Sequence, residues 1–225
     1  MKLFHQIIEY LFPPKCILCK SILEKDELDL CRTCRTEISD HPKPKKHIQF
    51  LASWTVLWYY EGTVRQSLLR YKFSNKRSYA AAYGRLLAMK IQQEYPDSFD
   101  VLTWIPISSQ RLRQRGYDQV ELLCRAVAAE LGMDAVSTLD KIRNNPPQSG
   151  ITGFALRRAN VLGAYRVKDP AALQGKRVLL LDDIITTGAT ASEAARVLLT
   201  AGAKEVSCAA VAAASHSDNT KKHSR

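Results

Sequence analysis

The chain has 225 residues, of which 46% are hydrophobic and 24% are charged, and its formal net charge is +11. This length can bury the core of one medium-sized domain and still leave residues for a small module. No apolar run approaches the roughly 18 to 20 residues of a membrane-spanning helix, and no signal-peptide cleavage pattern follows the N-terminus, so we expect a soluble chain without a membrane span.

The first 50 residues predict a short helix followed by a cysteine module. Apolar residues recur at helical spacing over residues 1–12, which favours an amphipathic helix. Two C-x2-C pairs separated by eleven residues follow, formed by Cys16, Cys19, Cys31 and Cys34. Four thiolates at this spacing suit a closed, tetrahedral structural zinc site. Disulfides would require an oxidising compartment, and nothing in the sequence indicates secretion. A redox-active pair would need only one C-x2-C and not two, so zinc is the favoured interpretation.

A Pro/Lys-rich linker at residues 41–47 ends this first domain near residue 50, and residues 51–214 then alternate between strand and helix patterns. Strands are predicted over residues 52–60, 101–107, 135–139, 163–167, 177–181 and 205–213, and helices over 78–94, 119–131 and 191–199. This alternation predicts an α/β domain, a mostly parallel sheet with helices on both faces. Ligands of such sheets bind at the carboxyl ends of the strands. Residues 215–225 have no periodicity and predict a disordered tail.

The segment at residues 178–190, VLLLDDIITTGAT, predicts a buried strand, an acid pair, and a loop that starts a helix. A helix N-terminus with glycine and hydroxyl residues forms a phosphate cup. Its members are Thr186, Thr187, Gly188, Ala189 and Thr190. Asp182 and Asp183 would repel a phosphate but can accept hydrogen bonds from adjacent ribose hydroxyls. The segment therefore predicts a site for the 5′-phosphate of a phosphorylated ribose, with phosphoribosyl diphosphate as the favoured ligand.

Two other interpretations of this segment fit its residues less well. An apolar strand ending in two acids also occurs at the magnesium site of nucleoside triphosphatases, but the chain lacks the G-x-x-x-x-G-K-[ST] loop. A plain capped helix after a strand would not need the Thr-Thr-Gly-x-Thr string. Thr190 and Glu193 have capping-box spacing, which predicts a helix start at Thr190.

Two long stretches contain basic residues and no acids. Residues 62–93 carry seven Lys/Arg, and residues 141–168 carry six. Such stretches favour contact with a polyanion, either a diphosphate or a nucleic acid, although a solvated basic surface would look the same. Aromatic residues border the first stretch and would suit single-stranded DNA, with about half of them expected in the core. They are Trp54, Trp58, Tyr59, Tyr60, Tyr71 and Phe73.

Residues 178–190 resemble the signature of type I phosphoribosyltransferases, and further segments resemble one branch, the ComF family of bacterial competence proteins. The matching segments are the cysteine pairs, Pro106 with RLRQRGYDQ at 111–119, and Gln148 with RRANVLGAY at 157–165. They occur in the expected order across nearly the whole chain. The resemblance implies a type I phosphoribosyltransferase-like α/β domain preceded by a small zinc-ribbon-like module.

The resemblance also implies roles for two loops. Residues 108–119 would form the diphosphate loop, which binds magnesium diphosphate through Ser108, Arg111, Arg113, Arg115 and Gly116. The long segment 144–160 would be a mobile loop that closes over the ligand with Gln148, Arg157 and Asn160. Lys72 is either a contact from outside the core fold or a plain surface lysine.

Three functions are compatible with the sequence. The resemblance implies a cytoplasmic protein of DNA uptake in natural transformation, beside a DNA-translocating ATPase, that binds phosphoribosyl diphosphate with Mg²⁺ and single-stranded DNA. An active phosphoribosyltransferase acting on an unidentified base or amine is the alternative. A structural adaptor that docks a partner through its zinc module would leave the phosphate cup unexplained.

Overall fold

The computed structural model describes residues 12–38, 47–95, 99–144 and 154–214. The predicted N-terminal helix and the predicted linker lie outside these ranges except for the last residue of each, and the predicted tail lies outside them altogether. No helix within them is both long and apolar enough to cross a membrane.

Four parallel strands form the central sheet of the described chain. The strands in chain order are β1 (Trp54–Tyr59), β2 (Val101–Trp104), β3 (Leu139–Lys141), β4 (Tyr165–Val167), β5 (Arg177–Ile185) and β6 (Glu205–Ala213). The sheet order is β1-β6-β5-β2, while β3 and β4 pair antiparallel as a separate hairpin. Because β5 pairs in parallel with both β6 and β2, the carboxyl ends of these three strands lie at the same edge of the sheet.

Helices cover both faces of the sheet, as the sequence predicted. They are α1 (Arg32–Glu37), α2 (Gly62–Phe73), α3 (Tyr79–Glu94), α4 (Ser109–Arg115), α5 (Gln119–Leu131), α6 (Phe154–Val161) and α7 (Ala189–Thr200). Leu179 and Leu181 of β5 belong to the apolar layer that contains α2, α3 and α5. Val178 and Leu180 belong to the opposite layer with α7. Successive strand residues point to opposite faces, so a continuously apolar strand serves both layers.

The cysteine module packs against the α2 and α3 side of this sheet. Cys16, Ile17 and Leu18 are buried in the same apolar layer as α2 and α3. The guanidinium of Arg85 in α3 donates two hydrogen bonds to the buried Asp29 carboxylate, at 2.9 and 2.5 Å. The module is therefore joined to the α/β domain by shared core and by an ion pair.

Several predicted elements differ from the structure. Helix α2 has no counterpart among them, although Val64, Leu68 and Tyr71 bury one face at helical spacing. Residues 135–139 contribute only an isolated bridge from Ala135, and β3 begins at Leu139 instead. The prediction failed there because a three-residue edge strand is too short to show a period of two.

The predicted diphosphate loop contains a helix, α4. The Ser108 hydroxyl accepts a hydrogen bond from the Arg111 N–H at 3.4 Å, and Gly116 ends the helix with φ +74°. A serine N-cap and a left-handed glycine at the C-terminus are ordinary helix boundaries, and they are the signal that the loop interpretation overlooked.

Candidate functional site

An acid pair lies near the carboxyl end of β5 and binds residues from distant parts of the chain. The Nζ atom of Lys72 lies 2.9 Å from Asp183 Oδ1, and both side chains are largely buried. Gln119 donates from Nε2 to Asp183 Oδ2 at 2.8 Å. Lys72 is therefore a residue of the site and not a plain surface lysine.

The second acid, Asp182, lies in surroundings that disfavour its charge. Burial and the neighbouring Asp183 raise the pKa of Asp182, while Lys72 and the N–H of Asp183 act in the opposite direction. That N–H donates to Asp182 Oδ1 at 2.8 Å. Hydroxyl donors from a sugar would stabilise the ionised carboxylate, so a polyol ligand would bind best with the release of a proton.

The predicted phosphate cup is formed as a strand-to-helix turn. Gly188 is the N-cap of α7 with φ +80°, and a Cβ atom there would lie 2.8 Å from the side chain of Ile48. Thr186, Ala189 and Thr190 surround the same small concavity. The Ala189 N–H donates to Thr187 Oγ1 at 3.4 Å. The N–H groups of a first helical turn lack intrahelical partners and lie at the positive end of the helix dipole, which favours an anion at this position.

The predicted capping box at Thr190 is wrong, because α7 begins at Ala189. The Glu193 carboxylate instead accepts the N–H of Gly163 at 2.8 Å and two hydrogen bonds from Arg196 at 2.8 Å each. Glu193 thus ties α7 to the turn before β4. Because the Glu193 carboxylate is buried in these contacts, it does not cap the N-terminus of α7.

The predicted diphosphate residues separate into two groups. Arg111 and Arg115, one helical turn apart on α4, line a cavity that the acid pair also borders. Arg113 is exposed and lies on another side of α4, and Gly116 is exposed at the helix end. Ser108 is buried as the N-cap. Two of the three arginines are therefore placed to meet a ligand.

The Arg115 side chain is held in place by two neighbours. Its Nη1 donates to Gln119 Oε1 at 2.8 Å, and its guanidinium lies 4.8 Å from the centre of the Phe73 ring. Because Gln119 also binds Asp183, one glutamine joins the cationic and acidic sides of the site.

The prediction of a loop over residues 144–160 is wrong at its end, because Phe154–Val161 forms helix α6. Asn160 lies on α6 and lines the cavity. Arg157 lies on the same helix, and its side chain is outside the described residues, as is Gln148 altogether. Val161 at the end of α6 is buried, which anchors the helix beside the site.

Lys141 and Tyr165, on the two strands of the hairpin, are site residues that the sequence analysis missed. Burial and the nearby Arg111 lower the pKa of Lys141 to about 8. The Lys141 ammonium donates to the Tyr165 hydroxyl at 3.3 Å. The only sequence signal for Lys141 was its place at the start of the second acid-free stretch.

These groups converge on one cavity of about 660 Å³ at the carboxyl edge of the sheet. Its charged lining residues are Lys72, Arg111, Arg115, Lys141, Asp182 and Asp183. Tyr60, Phe73 and Tyr117 add aromatic surface to the lining. A cavity with more cations than acids can hold a polyanion, while the acid pair offers acceptors for hydroxyl groups.

The four predicted zinc ligands come together in the cysteine module. The Sγ atoms of Cys16, Cys19, Cys31 and Cys34 all lie within 4.8 Å of one another. The Cys34 N–H donates to Cys31 Sγ at 3.4 Å, and the Ser21 N–H to Cys19 Sγ at 3.5 Å. Tetrahedral zinc with Zn–S bonds of about 2.3 Å requires sulfur atoms about 3.8 Å apart. The donor set therefore fits a closed structural zinc site.

Comparisons with known proteins agree with both parts of this architecture. Residues 122–224 match the model of the phosphoribosyl transferase domain, and residues 7–45 match the double zinc ribbon domain. Competence protein ComFC of Bacillus subtilis (strain 168) is 28% identical over 197 residues, which cover 83% of this chain and 78% of that protein. Both parts of the chain are therefore similar to competence proteins of the ComF kind. The zinc ribbon segment of this chain has four cysteines, enough for one tetrathiolate site.

A second relative is DNA utilization protein YhgH of Salmonella typhi, which is 33% identical over 140 residues. The match covers 60% of this chain and 60% of YhgH, so the chain spans about three fifths of that relative. Among solved structures, glutamine phosphoribosylpyrophosphate amidotransferase from B. subtilis is 25% identical with a TM-score of 0.41. That likeness covers 62% of this chain and 30% of the amidotransferase.

Proposed function

We propose that the cavity at the carboxyl edge of the sheet binds phosphoribosyl diphosphate together with Mg²⁺. The main support for this proposal is that the acid pair, the first turn of α7 and four cationic side chains border one cavity. In this proposal Asp182 and Asp183 accept the ribose hydroxyls, and residues 186–190 hold the 5′-phosphate. Arg111, Arg115 and Lys141 hold the diphosphate.

Magnesium would enter this site with the diphosphate. Oxygen atoms are its preferred ligands, and both the diphosphate and the acid pair offer them. The ion would reduce repulsion between the diphosphate and the two carboxylates. Gln148, Arg157 and Asn160 stay in the proposal as contacts of the closed state.

The proposed biological role is DNA uptake in natural transformation, in the cytoplasm and beside a DNA-translocating ATPase. The competence name of the ComFC relative and the basic balance of the chain support this role. Single-stranded DNA is the proposed polymer ligand. Of the six aromatics that border the first acid-free stretch, Trp58 and Tyr71 are buried, whereas Phe73 is 66% exposed beside Arg115. An exposed ring with neighbouring cations can stack on a base.

An active transferase is the second candidate, favoured by aromatic surface in the same cavity. A base or amine acceptor lying there would form a bond from its nitrogen to ribose C1 as the bond from C1 to the diphosphate oxygen breaks. The diphosphate would leave with the electron pair, and the acceptor nitrogen would lose its proton to solvent. Cations around the diphosphate would stabilise the leaving charge.

Calorimetric titration of the zinc-loaded chain with phosphoribosyl diphosphate and Mg²⁺ tests the proposal. We expect a dissociation constant near micromolar, about −8 kcal/mol. Arg111→Gln should weaken binding about ten-fold or more, because a charge-assisted contact to the diphosphate is lost. Arg113→Gln is the matched control, since Arg113 is exposed two residues away on α4, and it should bind like the wild type.

Equal effects of the two arginine variants would contradict the assignment of the diphosphate to this cavity. The same titration with a short single-stranded oligonucleotide present tests the DNA part. A shift in sugar affinity that shrinks with added salt would support a coupled DNA site. An unchanged affinity and no oligonucleotide heat would contradict DNA binding by this chain.

A further inference from the structure

We propose that the zinc module is a working part of the sugar-phosphate site, connected to it by the last two turns of α2. Ser67 and Arg70 act as positioning residues that hold Lys72 against Asp183. The inference rests on the proposed function, because it explains why a structural zinc ribbon precedes a phosphoribosyl site.

Helix α2 is hydrogen-bonded to the backbone of the zinc module. The Ser67 hydroxyl donates to the Ile17 carbonyl at 2.5 Å. Arg70 donates from Nη2 to the carbonyls of Ile17 and Leu18, at 3.0 and 2.6 Å. Both carbonyls lie between the first two zinc ligands, Cys16 and Cys19. The backbone that folds around the metal is therefore bound directly by α2.

The C-terminal end of α2 contacts the acid side of the cavity. Tyr71 and Lys72 follow Arg70 at once on the same turn. The Tyr71 hydroxyl donates to the Gln119 carbonyl at 2.6 Å, and Lys72 pairs with Asp183 at 2.9 Å. The Tyr117 hydroxyl donates to the Tyr71 carbonyl. Adjacent residues of one turn thus bind the zinc module and the acid side of the cavity.

These two sets of contacts depend on each other because they lie on the same short stretch of α2. Residues 70 and 72 are about 3 Å apart along a helix axis. The last turn of α2, which ends at Phe73, has carbonyls without intrahelical partners and would fray without side-chain anchors. Arg70 is one such anchor. If the zinc loop unfolds, the Arg70 and Ser67 contacts are lost and Lys72 no longer stays within ion-pair distance of Asp183.

The experiment compares Arg70→Gln with Arg65→Gln in the zinc-loaded full chain. Arg65 is exposed on the same helix, so its variant makes the same charge change without the module contact. We expect Arg70→Gln to retain one zinc per chain, to speed hydrogen exchange of the amides of residues 70–73, and to weaken phosphoribosyl diphosphate binding about ten-fold. Arg65→Gln should match the wild type in all three measurements.

A conservative variant separates positioning from simple destabilisation. The Arg70 Nε has no hydrogen-bond partner among the described residues, so lysine can replace the contacts to the two carbonyls. Arg70→Lys should recover most of the sugar affinity. If Arg70→Gln lowers the melting temperature too far for titration, Ser67→Ala takes its place, with the same expected exchange at residues 70–73.

The outcomes distinguish this inference from the proposed function. If the wild type binds the sugar and Arg70→Gln binds it equally well with unchanged exchange, the coupling is overturned. If the wild type does not bind the sugar, the proposed function fails and hydrogen exchange alone decides the coupling. Faster exchange at residues 70–73 in Arg70→Gln, or after zinc removal by a chelator, then supports it, and unchanged exchange overturns it.

Discussion

Lys141 shows how burial prepares a single residue for an anionic ligand. Its pKa of about 8 means that it loses its proton more readily than an ordinary lysine does, because burial and the nearby Arg111 both disfavour the charged form. Asp182 shows the converse shift, with a pKa raised by burial and by Asp183. A ligand with both phosphates and hydroxyls would reverse both shifts, since it stabilises the charged form of each residue.

The shift at Lys141 predicts a pH dependence of sugar-phosphate binding. A diphosphate prefers charged Lys141, so that contribution is complete below the pKa of the free protein and is lost as pH rises above about 8. We expect binding of phosphoribosyl diphosphate, measured by calorimetry, to weaken between roughly pH 7 and pH 9, one unit on each side of that pKa.

Lys141→Arg is the control for this pH dependence, because arginine keeps its charge throughout the range. Ionisation of Asp182 over the same range would strengthen binding of the hydroxyls, and it is common to both proteins. The wild type should therefore lose affinity relative to Lys141→Arg as pH rises. Parallel pH profiles would show that Lys141 does not contact the ligand.

Among the site residues, those that lie next to each other in the chain could be predicted from the sequence. The acid pair and the cup occupy residues 182–190, and the zinc ligands follow a short spacing rule. Lys72, Gln119 and Lys141 could not be assigned in this way, because their roles arise from contacts between segments far apart in sequence. The polarity of these residues fits an exposed surface equally well.

The elements that could be predicted are those with long apolar patterns, and α5 was predicted with its observed bounds. Its start is fixed by Asp118, which accepts the N–H groups of Val120 and Glu121 at 2.8 and 3.2 Å. α4 and α6 were not predicted because neither short helix has a complete apolar face. Their positions beside the cavity are set by tertiary contacts and caps.

The packing of α3 on α5 gives a prediction for a single glycine. A Cβ atom at Gly84 would lie 2.5 Å from the Ala126 Cβ and 2.9 Å from its carbonyl carbon. Helix propensity alone would make Gly84→Ala stabilising by about 1 kcal/mol. We expect the steric clash to prevail and the variant to be less stable by about 1 to 3 kcal/mol in urea unfolding.

The control for this prediction is Gln92→Ala, an exposed substitution on the same helix. It should change stability by less than about 0.5 kcal/mol. If Gly84→Ala is as stable as the wild type or more so, α3 and α5 are farther apart than the structure indicates.

At the scale of the whole molecule, the two modules form one folded unit over the described residues. The sequence predicted a boundary near residue 50 but not the contacts across it. Those contacts are made by Asp29 with Arg85, and by Ser67 and Arg70 with the zinc loop. Polar residues at such an interface resemble ordinary surface residues in the sequence, so only the fold shows that α2 connects the metal module to the cavity.

The most direct test of the central claim is calorimetric titration of phosphoribosyl diphosphate with Mg²⁺ into the zinc-loaded wild type and into the Asp182→Asn, Asp183→Asn double variant. Asparagine keeps the shape of each side chain and removes the charge that accepts the ribose hydroxyls. We predict near-micromolar binding to the wild type and an affinity at least about ten-fold lower for the variant. Equal affinities, or no binding to the wild type, would contradict it.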